Sequence, residues 1–199
     1  MPSCMGFGRW VHLRTWVLGT MVLASLVCRP AWASDQAEVM FSETLEWSGE
    51  PLVLNGTGVR KKFLFKVYSA GLYLPRRAQD VKTIAAMTGS KLIVMKFLRN
   101  VDADAIRKAW ADGIKNNCEP NCQGFETLVT QINALMTDVK GGEVLELGLD
   151  VDSVTVRREQ GKDLGVVSGP GYGGMMLRVF LGPRPPTDAL KKGLIGVGR

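Results

Sequence analysis

The residue with the clearest chemical potential is Arg60, which lies in NGTGVRKKFLFKVYSAGLYLP at residues 55–75. Two glycines precede it and predict a turn, whereas the aromatic and β-branched run after it predicts a strand on an apolar core. A guanidinium group has a fixed charge and a planar fork of donors, so beside an apolar cleft it can hold a carboxylate or stabilise a phenolate. The alternative is a structural arginine, paired with a carboxylate on a neighbouring strand or solvated in the turn.

Tyr68 is the second candidate. A strand running unbroken from Arg60 would place Arg60, Leu64, Lys66 and Tyr68 on one face. The tyrosine hydroxyl can donate a hydrogen bond to a carboxylate or carbonyl oxygen. The alternative is a packed aromatic side chain whose hydroxyl lies at the surface.

Several kinds of catalytic site are excluded because the only histidine is His12, in the first segment of the chain. Without it, Ser-His-Asp and Cys-His nucleophiles and histidine-based metal sites cannot form. General acid–base chemistry near neutral pH would need a glutamate, lysine, tyrosine or cysteine with a shifted pKa. The glycines of SGPGYGG match no phosphate-binding motif, so we expect no cofactor. A lone CxxxC pair is a weak metal signal, so we expect no metal either.

Residues 1–33 are typical of a secretory signal peptide: a basic head precedes an apolar run at 16–28, and A-W-A ends the segment. The run is shorter than a membrane span of about 20 residues. We therefore expect cleavage after Ala33, a periplasmic or secreted protein, and no stable membrane span after cleavage. The alternative is an uncleaved N-terminal anchor.

The remaining residues, 34–199, are enough for one domain with a real core. Losing the leader removes three positive charges, at Arg9, Arg14 and Arg29, and no acidic residue, so the formal net charge falls from +6 to +3. This charge is small and dispersed, which argues against a nucleic-acid partner.

Two cysteines remain, Cys118 and Cys122, in the sequence C-E-P-N-C. An even pair in an exported chain favours a disulfide that closes a short loop. A redox-active pair and two free thiols are the alternatives.

The elements that position these residues follow an α+β order. The apolar periodicity predicts one antiparallel sheet with helices on one face. Strands are predicted at residues 38–47, 52–59, 62–74, 91–98, 145–151, 154–156 and 164–168, and helices at 80–88, 101–117 with Asp102 as the N-cap, 125–139, 175–181 and 189–195.

Gly58-Val59-Arg60 followed by FKVYSAGLYL resembles the chalcone isomerase family, in which a G-x-R turn precedes a strand ending in AxGxYL. The tail FLGPRPPTDALKKGLIG and the helix VDADAIRKAWADGI are similar to the bacterial, exported branch of the chalcone isomerase-like domain. The resemblance covers most of residues 37–196. It implies an open-faced β-sandwich, in which a large antiparallel sheet carries a helical layer on one face and a ligand cleft lies between them.

Plant members of this family that are true isomerases close a flavanone ring, and relatives without that activity bind fatty acids. Both employ an arginine at the G-x-R position, which corresponds to Arg60. Tyr68 aligns with a threonine that helps to polarise the isomerase substrate, and Tyr73 belongs to the structural pattern of the core. The isomerases also use a tyrosine and an asparagine on the helix where this chain has Asp102, Asp104 and Ala109.

The resemblance therefore favours an exported domain that binds a fatty acid or similar apolar anion through Arg60 and Tyr68. One alternative is an intramolecular lyase of the chalcone isomerase type that uses the same two residues. Another is a protein of the cell envelope that binds other proteins and no ligand.

Overall fold

The computed structural model describes residues 40–120, 122–158 and 162–197. Their framework is an antiparallel sheet of seven strands, which lie side by side in chain order. The strands are β1 (Thr44–Trp47), β2 (Glu50–Lys62), β3 (Phe65–Leu74), β4 (Lys91–Phe97), β5 (Val144–Leu149), β6 (Ser153–Arg158) and β7 (Lys162–Ser168). The predicted leader, residues 1–33, lies outside the described residues.

Helices cover one face of this sheet: α3 packs against β7, α4 against β5 and β6, and α5 against β2. This confirms the predicted α+β fold, an open-faced sandwich whose sheet curls into a half-barrel. The helices are α1 (Val81–Ala86), α2 (Ala103–Asn117), α3 (Phe125–Ala134), α4 (Tyr172–Leu181) and α5 (Asp188–Leu194). None of the helices in the described part of the chain is long and apolar enough to cross a bilayer.

The two faces of the sheet bury separate apolar clusters, because successive strand residues point to opposite sides. Leu72 and Leu74 of β3 join the large core beneath the helices. Tyr73, between them, joins a smaller cluster with Trp47 and Leu92 on the other face. Tyr73 is 2% exposed and its hydroxyl donates to the Ser42 carbonyl at 2.9 Å, so the prediction that it is a core residue is confirmed.

Strand β2 differs from the prediction, because it runs through Arg60 instead of ending in a turn before it. Gly56 and Gly58 lie against the backbone of α5. A Cβ on Gly56 would come within 2.2 Å of the Gly193 carbonyl oxygen, and one on Gly58 within 2.7 Å of that of Leu190. These glycines therefore serve the close approach of a helix, and the predicted turn at this place is wrong.

The turn between β2 and β3 falls instead at Phe63 and Leu64, so the predicted strand at residues 62–74 is interrupted there and no unbroken strand joins Arg60 to Tyr68. Phe63 has φ 54°, a left-handed conformation that is uncommon for a bulky residue. Leu64 is 95% exposed in this turn. Lys66 pairs with Lys61 and is also exposed.

The two central helices, α2 and α3, pack on each other, and Cys118 and Cys122 form the predicted disulfide in the loop between them. Asp102 occupies the N-cap of α2, but its side chain makes no capping hydrogen bond. The carboxylate of Asp138 caps instead, accepting from the Ala103 N–H at 2.8 Å. Helix α3 ends at Ala134, before the predicted residue 139, because Val139 leaves the helix to form a bridge with Val101.

Candidate functional site

A cavity of about 250 Å³ lies between the sheet and helix α2. The sheet contributes apolar side chains from β3 and β4, and α2 contributes its inward face. Representative lining residues are Val67, Met95 and Phe97 from the strands and Ile106, Ala109 and Trp110 from the helix. The walls are mainly apolar, as is usual for small-molecule sites.

Small residues on α2 leave room for this cavity. Ala105 and Ala109, four residues apart, lie on one side of the helix and both line the cavity. Gly113 continues the row, but a Cβ there would come within 2.7 Å of Val179, so this glycine serves the contact between α2 and α4. A larger side chain at Ala109 would occupy the space instead of a ligand.

Arg60 and Tyr68 are brought together at the cavity. They are directly opposed in the β2–β3 ladder, which places both side chains on the same face of the sheet. The Arg60 Cζ lies 5.8 Å from the centroid of the Tyr68 ring. A register shift follows at Lys61, so Val67 is added to the cavity wall beside Tyr68.

Arg60 is half-buried, and its guanidinium has no ion pair or hydrogen bond with any described residue. Within residues 40–120, 122–158 and 162–197, no carboxylate therefore forms the ion pair that a purely structural arginine would have. A charge removed partly from water needs a compensating anion. The geometry leaves that role open to a ligand.

Tyr68 is 8% exposed, and its ring packs at 5.8 Å from that of Phe97. Burial raises the pKa of the Tyr68 hydroxyl above its ordinary value, and the positive charge of Arg60 opposes this effect. The hydroxyl therefore stays protonated at physiological pH and can donate a hydrogen bond to an anion.

A second space of about 400 Å³, the outer groove, adjoins the cavity and shares Arg60, Ala105 and Ala109 with it. Arg60 thus stands where the apolar cavity meets the more open groove. The remaining lining of the groove includes Lys62, Phe63, Phe65, Arg99 and Asp102.

The acidic residues at and near the start of α2 form no ion pair with Arg60. Asp104 is exposed and forms an ion pair with Arg107 at 2.8 Å. Asp102 lines the outer groove, not the cavity. Asp112, which lines both spaces, forms an ion pair with Lys108 at 3.1 Å.

Other residues of the site were not among the sequence-based candidates. Trp110 of α2 lines the cavity, and its indole N–H donates to the Met136 sulfur at 3.2 Å. Arg184 and the two following prolines also line the cavity, from the loop after α4. The sequence signal for this loop is GPRPP, whose prolines restrict the backbone.

The arrangement suits anion binding better than covalent or metal chemistry. A fixed cation and a neutral hydroxyl donor lie together at one end of an apolar space. Within the described parts of the chain, no three histidine, cysteine, aspartate or glutamate residues are grouped so as to hold a metal ion.

The fold and the site define a class of protein with a half-open antiparallel sheet and a cavity between the sheet and its helices. The chain belongs to the chalcone isomerase-like family, whose sequence model matches residues 33–196.

Among solved structures, the crystal structure of the Arabidopsis thaliana fatty-acid binding protein AtFAP1 is similar, with a TM-score of 0.64 and 15% sequence identity. The match covers 78% of this chain and 90% of that one. At this identity the likeness shows a shared fold. A comparison with curated proteins found no significant match.

Proposed function

We propose that this protein binds a fatty acid or a similar amphiphilic anion in the cavity between the sheet and α2. The observation that carries the proposal is an arginine, Arg60, without a carboxylate partner among the described residues, at the open end of an apolar cavity. The similar fold of a plant fatty-acid binding protein supports it.

In the proposed complex the ligand carboxylate lies against Arg60 and accepts a second hydrogen bond from Tyr68. Charge-assisted bonds of this kind contribute about 1.5–3 kcal/mol each. The hydrocarbon tail lies among Met95, Phe97 and Trp110, where each buried methylene contributes about 0.8 kcal/mol. Selectivity for carboxylic acids with long hydrocarbon tails follows from combining the charge-assisted bonds with the apolar contacts.

Organic extraction of the purified protein followed by mass spectrometry tests the proposal directly, with fatty acids expected in the extract. Titration with a fluorescent fatty acid measures affinity. Arg60→Ala should weaken binding about 10- to 100-fold, since it removes a charge-assisted contact.

Arg76→Ala is the matched control, because Arg76 is an exposed arginine away from the cavity. It should bind like the unchanged protein. A clean extract without uptake of the probe, or full affinity in Arg60→Ala, contradicts the proposal.

The same preparations distinguish the enzyme alternative. At the start of α2, where the isomerases use a tyrosine and an asparagine, the cavity is lined by Ala105 and Ala109, which offer no hydroxyl or amide to polarise a substrate carbonyl; the amide of Asn116 lines the cavity only from the other end of the helix. We therefore expect no conversion of a 2′-hydroxychalcone. Conversion that is lost in Arg60→Ala would establish an intramolecular lyase instead, whereas a protein with neither ligand nor turnover would point to an interaction partner in the cell envelope.

We further propose export, with the protein acting in the periplasm or outside the cell, as in the exported branch that the sequence resembles. The basic and apolar pattern of residues 1–33 supports this. Sequencing the N-terminus of the protein from its native host should give Ser34 as the first residue. A protein that retains Met1 in the cytosol would contradict export.

A further inference from the structure

The turn between β2 and β3 exposes three consecutive apolar side chains. Phe63, Leu64 and Phe65, here called the apolar tip, are 89%, 95% and 61% exposed. Single exposed apolar residues are common on soluble proteins, but a contiguous exposed group marks an interaction site. Phe63 also holds a left-handed conformation that glycine or asparagine would adopt more easily.

Cations surround this tip. Lys61, Lys62, Lys66 and Arg99, here called the basic collar, are all exposed. None of the four forms an ion pair with a residue in the described ranges. The Arg99 guanidinium lies 4.9 Å from the centroid of the Phe65 ring, which joins the collar to the tip.

Acidic groups nearby do not cancel the collar. Asp102 is the carboxylate that shares the outer groove with Lys62 and Arg99 without an ion pair of its own among the described residues. Asp112, the other one in the groove, is paired with Lys108. The surface around the tip is therefore positive.

We propose that the apolar tip inserts into the surface of a lipid bilayer that contains anionic headgroups, while the basic collar binds those headgroups. Aromatic and leucine side chains beside lysine and arginine are the composition of segments that lie in the membrane interface. A protein partner is less suited to this surface, because lysine is depleted from the centres of protein–protein interfaces. Charge complementarity thus selects an anionic lipid surface.

Docking in this way turns the outer groove toward the lipid. Phe63, Phe65 and Arg99 line the groove, and Arg60 links the groove to the cavity. An amphiphilic anion leaving the bilayer would enter the groove beside the tip and reach Arg60 without crossing bulk water. This step rests on the proposed ligand-binding function, whereas docking itself rests only on the tip and the collar.

Flotation with vesicles tests docking, using phosphatidylcholine alone and phosphatidylcholine with about one third phosphatidylglycerol. The protein should float with the anionic vesicles and lose binding as salt is added. Leu64→Ser should reduce the partition coefficient about tenfold or more, because the most exposed apolar side chain can no longer insert.

Val166→Ser is the matched control, since Val166 is 59% exposed on β7, and its partition coefficient should stay unchanged. Two double variants test the contribution of the positive charges. Lys61→Gln with Lys66→Gln should weaken binding to anionic vesicles about tenfold, whereas Lys82→Gln with Lys192→Gln should not. Wild type and variants must begin at the same N-terminal residue, which intact-mass measurement establishes.

Absence of vesicle binding, or equal binding by the Leu64 variant, overturns the proposal. So does a dimer in vesicle-free sedimentation that Leu64→Ser converts to a monomer, because the tip would then cover a second copy of the chain. Fatty-acid uptake in vesicle-free buffer separates the two proposals, since Leu64 lines neither the cavity nor the groove. If Leu64→Ser loses vesicle binding but takes up fatty acid normally, both proposals are supported. If the unchanged protein binds vesicles but takes up no fatty acid, only the ligand-binding proposal is refuted.

Discussion

The middle of strand β2 and its C-terminal end meet the helical layer in different ways. At Gly56 and Gly58 the backbone of α5 lies directly on the strand, so close that a methyl group would collide with carbonyl oxygens. At Arg60, two residues further on, the strand borders a cavity of about 250 Å³ instead. One strand thus contains a closed half, held by backbone contact, and an open half, bordered by a charged side chain.

This difference separates stability from binding along one strand. Substitutions in the closed half should destabilise the fold, because the backbone of α5 cannot yield. Substitutions in the open half should change affinity and leave stability nearly intact, because the groups there face space that a ligand can fill.

The largest effect is expected from Gly56→Ala, whose methyl group would lie 2.2 Å from the Gly193 carbonyl oxygen. Overpacking of this kind costs about 1–3 kcal/mol, and contact with backbone places it at the upper end. Denaturant unfolding measures the loss. Gly174→Ala in α4 is the control, because nothing lies within 4 Å of its added Cβ; it should gain about 0.5–1 kcal/mol from the better helix former. Equal stabilities for the two variants would contradict the interpretation that close backbone contact with α5 holds this part of β2.

A second expected effect is the loss of ligand binding in Ala109→Phe. The phenyl ring would extend into the cavity that Ala109 borders, so we expect affinity for a fluorescent fatty acid to fall about 100-fold. The unfolding free energy should change by less than about 1.5 kcal/mol, since the added ring fills existing space. Unchanged affinity would place the ligand elsewhere.

The smallest effect is expected from Tyr68→Phe, which removes one neutral donor and leaves Arg60 in place. Affinity should fall about 2- to 10-fold, as for a single hydrogen bond. Because burial raises the pKa of Tyr68, the hydroxyl should remain a donor up to the ordinary tyrosine pKa of about 10 and beyond it. The affinity ratio of wild type to variant, measured from neutral to alkaline pH, should therefore stay constant. A ratio that falls near the ordinary tyrosine pKa would show an exposed hydroxyl.

Burial of Tyr68 also predicts how stability depends on pH. Its folded pKa lies above its unfolded value, so the unfolded chain releases the proton first as pH rises. This contribution to stability is complete below about pH 10 and is lost as pH rises toward the folded pKa. Tyr73 adds to the same trend, because burial and nearby Glu43 raise its pKa to about 12.

Local sequence patterns predicted most of the fold. Alternating apolar residues located β5 and β6, and a 3.6-residue period located α2 and α3. These signals depend on neighbours a few residues apart. The glycines of GTG misled the prediction because their cause is α5, more than 130 residues later in the chain, which no local pattern reveals.

The candidate site was predictable only in part. The sequence singled out Arg60 and Tyr68, and the structure places them opposite each other, although the parity argument used for them failed at the turn of Phe63 and Leu64. The pairing depends on where that turn falls and on the register shift after Arg60, both tertiary properties. Ala105 and Ala109 carried a readable signal, since small residues four apart on a helix indicate space or a close contact.

The start of α2 has a consequence for motion. Its first free N–H group is capped by Asp138, and the bridge between Val101 and Val139 joins the same two segments. The entrance side of α2 is therefore fastened to the chain just after α3. We expect any motion that widens the entrance of the cavity to displace α2 and α3 together. Helix α5 is held separately on the sheet by the hydrogen bond from the Asn55 side chain to the Leu194 carbonyl.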